Sequence, residues 1–427
     1  MRRLIPLAAA YTLVQGMSAL AILDRLLYGE WDGKGGDKLT QLMNVLSIGT
    51  SLLLLYAGRH RLGLMRRAHY LPFVLVALFL LSAGWSMDPS GTIRRTVNYA
   101  VLVVGAMGMA HALRPIRIMK ITVWVCTIAA ILSLALAATP FGLLFNPETG
   151  ESDFRGVFGL KNMLGEGMVA GVLAALYCFM AEPESRKKYV LRVLLFIFVI
   201  IAAKSATSLL VSLSYIGLLS TMALYGRGGG ARVLSFCLLG TAMLLGAVIA
   251  VAPDLAFEAL GKDPTLTGRT DLWPYVIDPI ETKLLLGWGF NGFWLFSNPA
   301  AMQISGALGW FVPEAHNGLL EFLLQLGIVG TILFLVLLVR YFQISIKCIR
   351  YADVPLGRTM LVFLFGLLVM SVSEAVLLTP SQIPTLQFFL YGFMCEAALL
   401  TAARDRAGMD NDQQAALMPV AGPSLAT

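Results

Sequence analysis

Mostly apolar stretches, separated by short polar segments, recur along the chain. They lie near 4–23, 40–58, 69–87, 95–112, 118–138, 161–181, 189–203, 206–225, 233–251, 317–339, 358–378 and 384–401. A helix that crosses a bilayer needs about 20 such residues. The pattern therefore predicts an all-α polytopic membrane protein of about twelve transmembrane helices. The stretch 189–225 is long enough for one helix, but Lys204 with Ser205, Thr207 and Ser208 breaks it more naturally into two short spans. The run after Met1-Arg2-Arg3 looks like a signal peptide, yet further spans follow at once and no cleavage site ends it, so it reads as a retained first helix. Residues 1–251 would hold helices 1–9, residues 252–315 one large outer loop, and residues 316–401 helices 10–12. The tail 402–427 is polar, then rich in Pro, Ala and Gly, and reads as disordered. A structureless loop as long as 252–315 is unusual, so that loop is expected to be folded and functional.

Composition agrees with the pattern: 58% of residues are hydrophobic and 13% charged, against roughly 25% charged in soluble domains. The net charge of +7 does not form a nucleic-acid-binding stripe, so nucleic acid is excluded as a partner. Most of the 32 Lys and Arg instead fall in alternate loops, at Arg2 and Arg3, Arg59 to Arg67, Arg114 to Lys120, Arg186 to Arg192, Arg227 and Arg232, Arg340 to Arg358, and Arg404 and Arg406. The positive-inside rule places these loops, and both termini, in the cytoplasm of a bacterial inner membrane. The five cysteines are scattered through apolar runs, and no Cys/His pattern suggests a disulfide framework or a metal site.

The few basic groups left on the outer side are the informative ones. Arg155 and Lys161 sit in FRGVFGLKN, where a loop enters a helix. A helix start offers free N–H groups and a positive dipole end, which suits phosphate. Lys204 lies in AAKSATS, Arg269 in TLTGRTDLW, and Arg94 and Arg95 open the fourth helix. His316 is the one histidine of the outer segments, in VPEAHNGLLEF with Glu314 two residues before it. Asn317, Glu321 and Gln325 form a polar stripe on the helix that follows, a pattern that faces a bundle interior or cavity. Each feature also has a plainer reading. The basic groups can be snorkelling anchors, the histidine structural, and the stripe a set of interhelical bonds. Trp273, Trp288, Trp294 and Trp310 can be an interface belt rather than sugar platforms.

The blocks FRGVFGLKN, TLTGRTDLW with LLLGWGFNGFW, and EAHNGLLEFLLQLGIVG, in this order, resemble the signature blocks of the O-antigen ligase and polymerase superfamily. They are most similar to its Wzy-type, ExoQ-like exopolysaccharide polymerases. The resemblance implies a GT-C-like membrane glycosyltransferase with a large periplasmic loop. Such enzymes take polyprenyl-pyrophosphate-linked oligosaccharide on the periplasmic face and need neither metal nor cofactor. The acceptor is a second lipid-linked repeat unit in polymerases and lipid A-core in ligases. A flippase and a chain-length regulator of the same pathway are the implied partners, beside membrane lipid.

Carried over by position, the family's loop arginine falls on Arg269 and its helix-start histidine on His316. The basic block falls on Arg155 and Lys161 with Asn162 beside them. The family often has a Ser-Arg pair near Ser205, where this chain has Lys204 one position earlier, and some relatives have His where Leu160 stands. His316 would take the acceptor proton, with Glu314 in reserve. Arg269, Arg155, Lys161 and Lys204 would hold the departing pyrophosphate. A rival from another class is a transporter or flippase for the same lipid-linked glycan. Transporters place coupling charges near the midplane, often within inverted repeats, and this chain has no visible repeat. A signalling or scaffolding role would leave the outer basic groups unused.

Overall fold

The computed structural model describes residues 3–28, 38–62, 70–145, 152–225, 228–230, 232–234, 269–379 and 382–417. The fold is an all-α membrane bundle, as the hydropathy pattern predicts. Its helices are α1 (Leu4–Gly16), α2 (Ala21–Tyr28), α3 (Lys38–Leu62), α4 (Leu71–Leu81), α5 (Pro89–Ala112), α6 (Pro115–Leu136) and α7 (Lys161–Ala181). There follow α8 (Arg186–Ala202), α9 (Ala206–Tyr225), α10 (Arg269–Thr282), α11 (Pro299–Leu308), α12 (Gly318–Tyr351), α13 (Val354–Ser371) and α14 (Ile383–Leu417). A short antiparallel hairpin, Leu143–Phe145 with Ser152–Phe154, leads into α7.

Among the described residues, 7 helices are long and apolar enough to cross a bilayer: α3, α6, α7, α9, α12, α13 and α14. Helices α1, α4 and α8 are shorter, and α5 is long but carries Arg94, Arg95 and Asn98. Beyond residues 233 and 234, the span expected at 233–251 lies outside the described residues. Three boundaries differ from expectation. The first apolar run is not one helix: α1 ends at Gly16, the backbone turns through Ser18 at φ 52°, and α2 follows. The tail does not lose order at 402. Residues 402–417 are rich in Ala, the best helix former, and α14 continues to Leu417. Helix α12 is long because two helices meet at a break, described below. The stretch 189–225 does divide, with Lys204 at φ 53° between α8 and α9.

Helix α7 is the centre of the bundle. In its apolar window 78% of residues are buried, against 17% for α3, whose Leu42, Val45, Leu46 and Leu52 face outward. Glycines allow this burial: a Cβ at Gly171 would meet Phe196 and Cys126 at 2.8 and 2.9 Å, and one at Gly165 would meet Ser208 Oγ at 2.3 Å. Small residues let helices in a membrane approach closely.

A second, smaller core covers one end of the bundle. Leu272, Val276 and Ile280 of α10 pack with Phe293, Ala301 and Ile304 of α11, Val312, Ala315 and Leu324. Trp273, Trp288, Trp294 and Trp310 line this core. Three of their indole N–H groups are used internally, on Ala315 O, Pro279 O and Glu321. Trp273, Trp288 and Trp294 thereby serve the small core rather than standing as open sugar platforms. The described part of the expected loop, 269–315, thus has its own helices and core.

The two cores join where α12 breaks. Gly327 has φ 63° and ψ −164°, outside helical geometry. The segment 284–289 supplies the bonds the break leaves open. Trp288 and Gly289 N–H donate to Leu324 O and Gln325 O at 2.9 and 2.8 Å, and Ile328 N–H donates to Leu284 O at 2.9 Å. A broken helix is tolerated at membrane depth only when protein groups re-satisfy its backbone. Gly287, at φ 65°, lies so close that a Cβ would meet the Gln325 carbonyl carbon at 2.4 Å.

Candidate active site

His316 lies where the small core meets the bundle, with a left-handed backbone of φ 47°. That conformation is uncommon for residues other than glycine. The peptide is held from both sides. Asn317 caps α12, its side-chain oxygen accepting from Leu319 and Leu320 N–H at 3.0 and 3.1 Å. Ala315 N–H donates to the Glu321 carboxylate at 2.6 Å, and Ala315 O accepts from Trp273 Nε1 at 3.2 Å.

The side chain turns Nδ1 toward two carboxylates. Glu314 Oε1 lies at 3.2 Å and Glu374 Oε2 at 3.7 Å, and all three side chains are mostly buried. Burial disfavours the imidazolium, but the two carboxylates outweigh it and push the His316 pKa up to about 9. Glu374 sits in the turn between α13 and α14, and its other oxygen accepts from Asn162 Nδ2 at 3.1 Å. One turn further along α7, the buried Glu166 lies within electrostatic reach of Glu374 and Glu314. The arrangement has the logic of a carboxylate–histidine pair: Nδ1 faces two carboxylates at ion-pair distance, without a formed hydrogen bond to either.

Of the sequence candidates, the structure brings His316, Glu314 and Asn162 together. Asn162, expected at the pyrophosphate, instead donates to Glu374. Lys161 sits at the first position of α7 but pairs with Asp153 of the hairpin at 2.9 Å. Arg155 is buried just before α7, where Gly156 turns at φ 55° against Ser133. Lys204 is exposed in its left-handed turn. That turn borders the cluster, since Thr207 Oγ1 lies 3.4 Å from Ser373 Oγ, beside Glu374. Arg269 opens α10, and its side chain lies outside the described residues.

Sequence reasoning missed Glu374, Glu166 and Asp153. The signal for the first two was available: each is a lone carboxylate in an apolar stretch, and such groups at membrane depth mark functional sites. The expected polar stripe is real, but Glu321 and Gln325 face protein donors rather than a cavity. The sequence pattern suggested no metal site. Among the described residues, Glu314, His316 and Glu374 nevertheless place ligand-type atoms within 4.8 Å of one another, close enough to share a cation. In this structure the imidazole Nδ1 already faces both carboxylates.

Comparison with known proteins agrees with the motif order. The family model for O-antigen ligases matches residues 191–335. The exopolysaccharide production protein ExoQ of Rhizobium meliloti is 30% identical over 337 residues, covering 75% of this chain and 74% of that protein. A Rickettsia felis protein described provisionally as a polysaccharide ligase is 32% identical over 93 residues, 21% of this chain and 23% of its own. A similar protein of Rickettsia conorii is 33% identical over 109 residues, 23% of this chain and 26% of its own. With a bilayer-spanning helical bundle and a relative aligned across three quarters of its length, this chain belongs to the O-antigen ligase superfamily, on its ExoQ-like side.

Proposed function

We propose that the protein is a membrane glycosyltransferase that polymerises polyprenyl-pyrophosphate-linked repeat units on the periplasmic face of a bacterial inner membrane. The observation that carries this reading is His316, with Nδ1 facing Glu314 and Glu374 beside the start of α7. The acceptor hydroxyl gives its proton to His316 Nε2 as its oxygen bonds to the donor's anomeric carbon. The bond from that carbon to the pyrophosphate oxygen breaks, and its electron pair leaves with the polyprenyl pyrophosphate. By analogy with glycoside hydrolysis the transition state is oxocarbenium-like, and a single displacement inverts the anomeric centre. Arg155, Lys161, Lys204 and Arg269 form the electrostatic clamp on the leaving group, the kind of term that is often the largest in catalysis. Asn162 belongs to the acid–base side through Glu374. Pyrophosphate is a good leaving group, so the scheme calls on no metal.

A ligase acting on lipid A-core is the second reading, favoured by the family match over 191–335. The longer alignment is with an exopolysaccharide production protein, and building exopolysaccharide from repeat units calls for polymerisation. The test uses purified protein in detergent with a lipid-linked repeat unit, with and without lipid A-core. A product ladder from the repeat unit alone, lost in His316→Ala and Arg269→Ala and kept under chelator, supports the polymerase. Product only with lipid A-core makes it a ligase. Full activity in both variants would refute the assigned site.

A further inference from the structure

A buried polar chain links the two halves of the candidate site. The Glu321 carboxylate accepts from Ala315 N–H, from Trp294 Nε1 at 3.0 Å and from Gln325 Nε2. Gln325 Oε1 in turn accepts from Asn291 N–H at 2.7 Å. Asn291, held at φ 51°, donates its side-chain Nδ2 to Leu378 O at 3.2 Å, and its own carbonyl accepts from Arg95. One end of this chain holds the peptide that carries His316, and the other holds the turn that carries Glu374. Glu321 is 1% exposed and Gln325 3%. Buried polar groups at such depth are retained only when fully paired.

We propose that Glu321 is a positioning residue for the transfer reaction. Through Ala315 it aims His316, and through Gln325 and Asn291 it keeps His316 in register with Glu374. This rests on the reading of His316 as proton acceptor.

The hydrogen-bond directions make the idea specific. Every group pointing at position 321 is a donor, so position 321 must only accept, and position 325 must accept from Asn291. Glu321→Gln brings an amide NH₂ against these donors and leaves one without an acceptor. Gln325→Glu sets two carboxylates in contact. The exchanged pair, Glu321→Gln with Gln325→Glu, satisfies all donors again: Gln at 321 accepts from Ala315 and Trp294 and donates to Glu at 325, which still accepts from Asn291.

The experiment measures kcat and donor KM on purified protein with the lipid-linked repeat unit, together with the melting temperature of each variant. A misplacement near 1 Å can cost about 10²-fold in rate. Glu321→Gln should therefore lower kcat on the order of 10²-fold and change KM by less than about threefold. The exchanged pair should recover most of the loss. If the exchanged pair melts early, Trp294→Phe serves as the control instead: it removes a donor that bridges both carboxylate oxygens but leaves Glu321 holding Ala315 N–H and Gln325 Nε2, so kcat should stay within a few-fold of wild type. Wild-type kcat in Glu321→Gln beside an inactive His316→Ala would overturn the positioning role alone. No recovery in an exchanged pair that melts as wild type, or a loss of kcat in Trp294→Phe as large as that in Glu321→Gln, would overturn it as well. An active His316→Ala would overturn the reading beneath it.

Discussion

Replacing Glu374 by Gln should make the transfer reaction less dependent on alkaline pH. The two carboxylates facing Nδ1 raise His316 from 6.5 to about 9 against the effect of burial. At about 1.36 kcal/mol per unit, that is on the order of a few kcal/mol in favour of the imidazolium. The sign follows directly. Because the pKa is raised, the proton is held below about 9, and the neutral ring that accepts a proton accumulates only as pH rises. Near pH 7 it is about one per cent of the enzyme, growing about tenfold per unit until it levels off. The wild-type rate should climb accordingly and flatten above about 9. Glu374→Gln removes one of the two charges that overcome burial, so its limb should move down by about one unit or more. A less basic imidazole is a weaker proton acceptor, so the plateau should fall while the rate near neutrality holds or rises, and the two profiles should cross. The assay is single-turnover transfer from the lipid-linked donor in detergent, from pH 6.5 to 10. A flat wild-type profile, or a limb that ignores Glu374→Gln, would refute His316 as the proton acceptor and leave Glu314 in that role.

Five further outcomes can be measured. Asn162→Asp adds a third carboxylate beside Glu374 and should move the alkaline limb upward, measured by the same profile. Lys161 is paired with Asp153 at 2.9 Å, so Asp153→Asn should lower donor KM a few-fold, within about 1 kcal/mol for a partly exposed pair, while Lys161→Ala should raise it. Gly327→Ala puts a Cβ 2.4 Å from the Leu285 carbonyl carbon at positive φ and should cost more than about 3 kcal/mol, seen as a lower melting temperature. Gly306→Ala, with open space around it, should leave the melting temperature unchanged or raise it. For orientation, Leu160→Cys should react with a membrane-impermeant maleimide added outside the inner membrane and Arg404→Cys should not; the reverse labelling would invert the topology and move the proposed site to the cytoplasm.

Much of this protein is legible from the chain. Bilayer insertion depends on local runs of apolar residues, so the membrane class and the positions of α3, α7, α9 and α13 followed from hydropathy alone. The order of the FRGVFGLKN, TGRTDLW and EAHNG blocks carried the family, because motif order survives where side-chain contacts cannot be read. His316 and Glu314 stand out in the sequence as polar groups at a helix start in an apolar chain, and Asn162 enters with the family resemblance; the structure brings these three side chains together. What distance along the chain concealed is how these groups are used. Glu374 reaches His316 and Asn162 only because α7, α12 and the α13–α14 turn converge. The raised pKa, which decides when His316 can take a proton, exists only in that arrangement. The break at Gly327 was hidden for the same reason: a glycine within an apolar run reads as helix until segment 284–289 is seen supplying the missing bonds. Span and family are written in local patterns; electrostatics and backbone satisfaction are sums over neighbours that only the tertiary structure brings together.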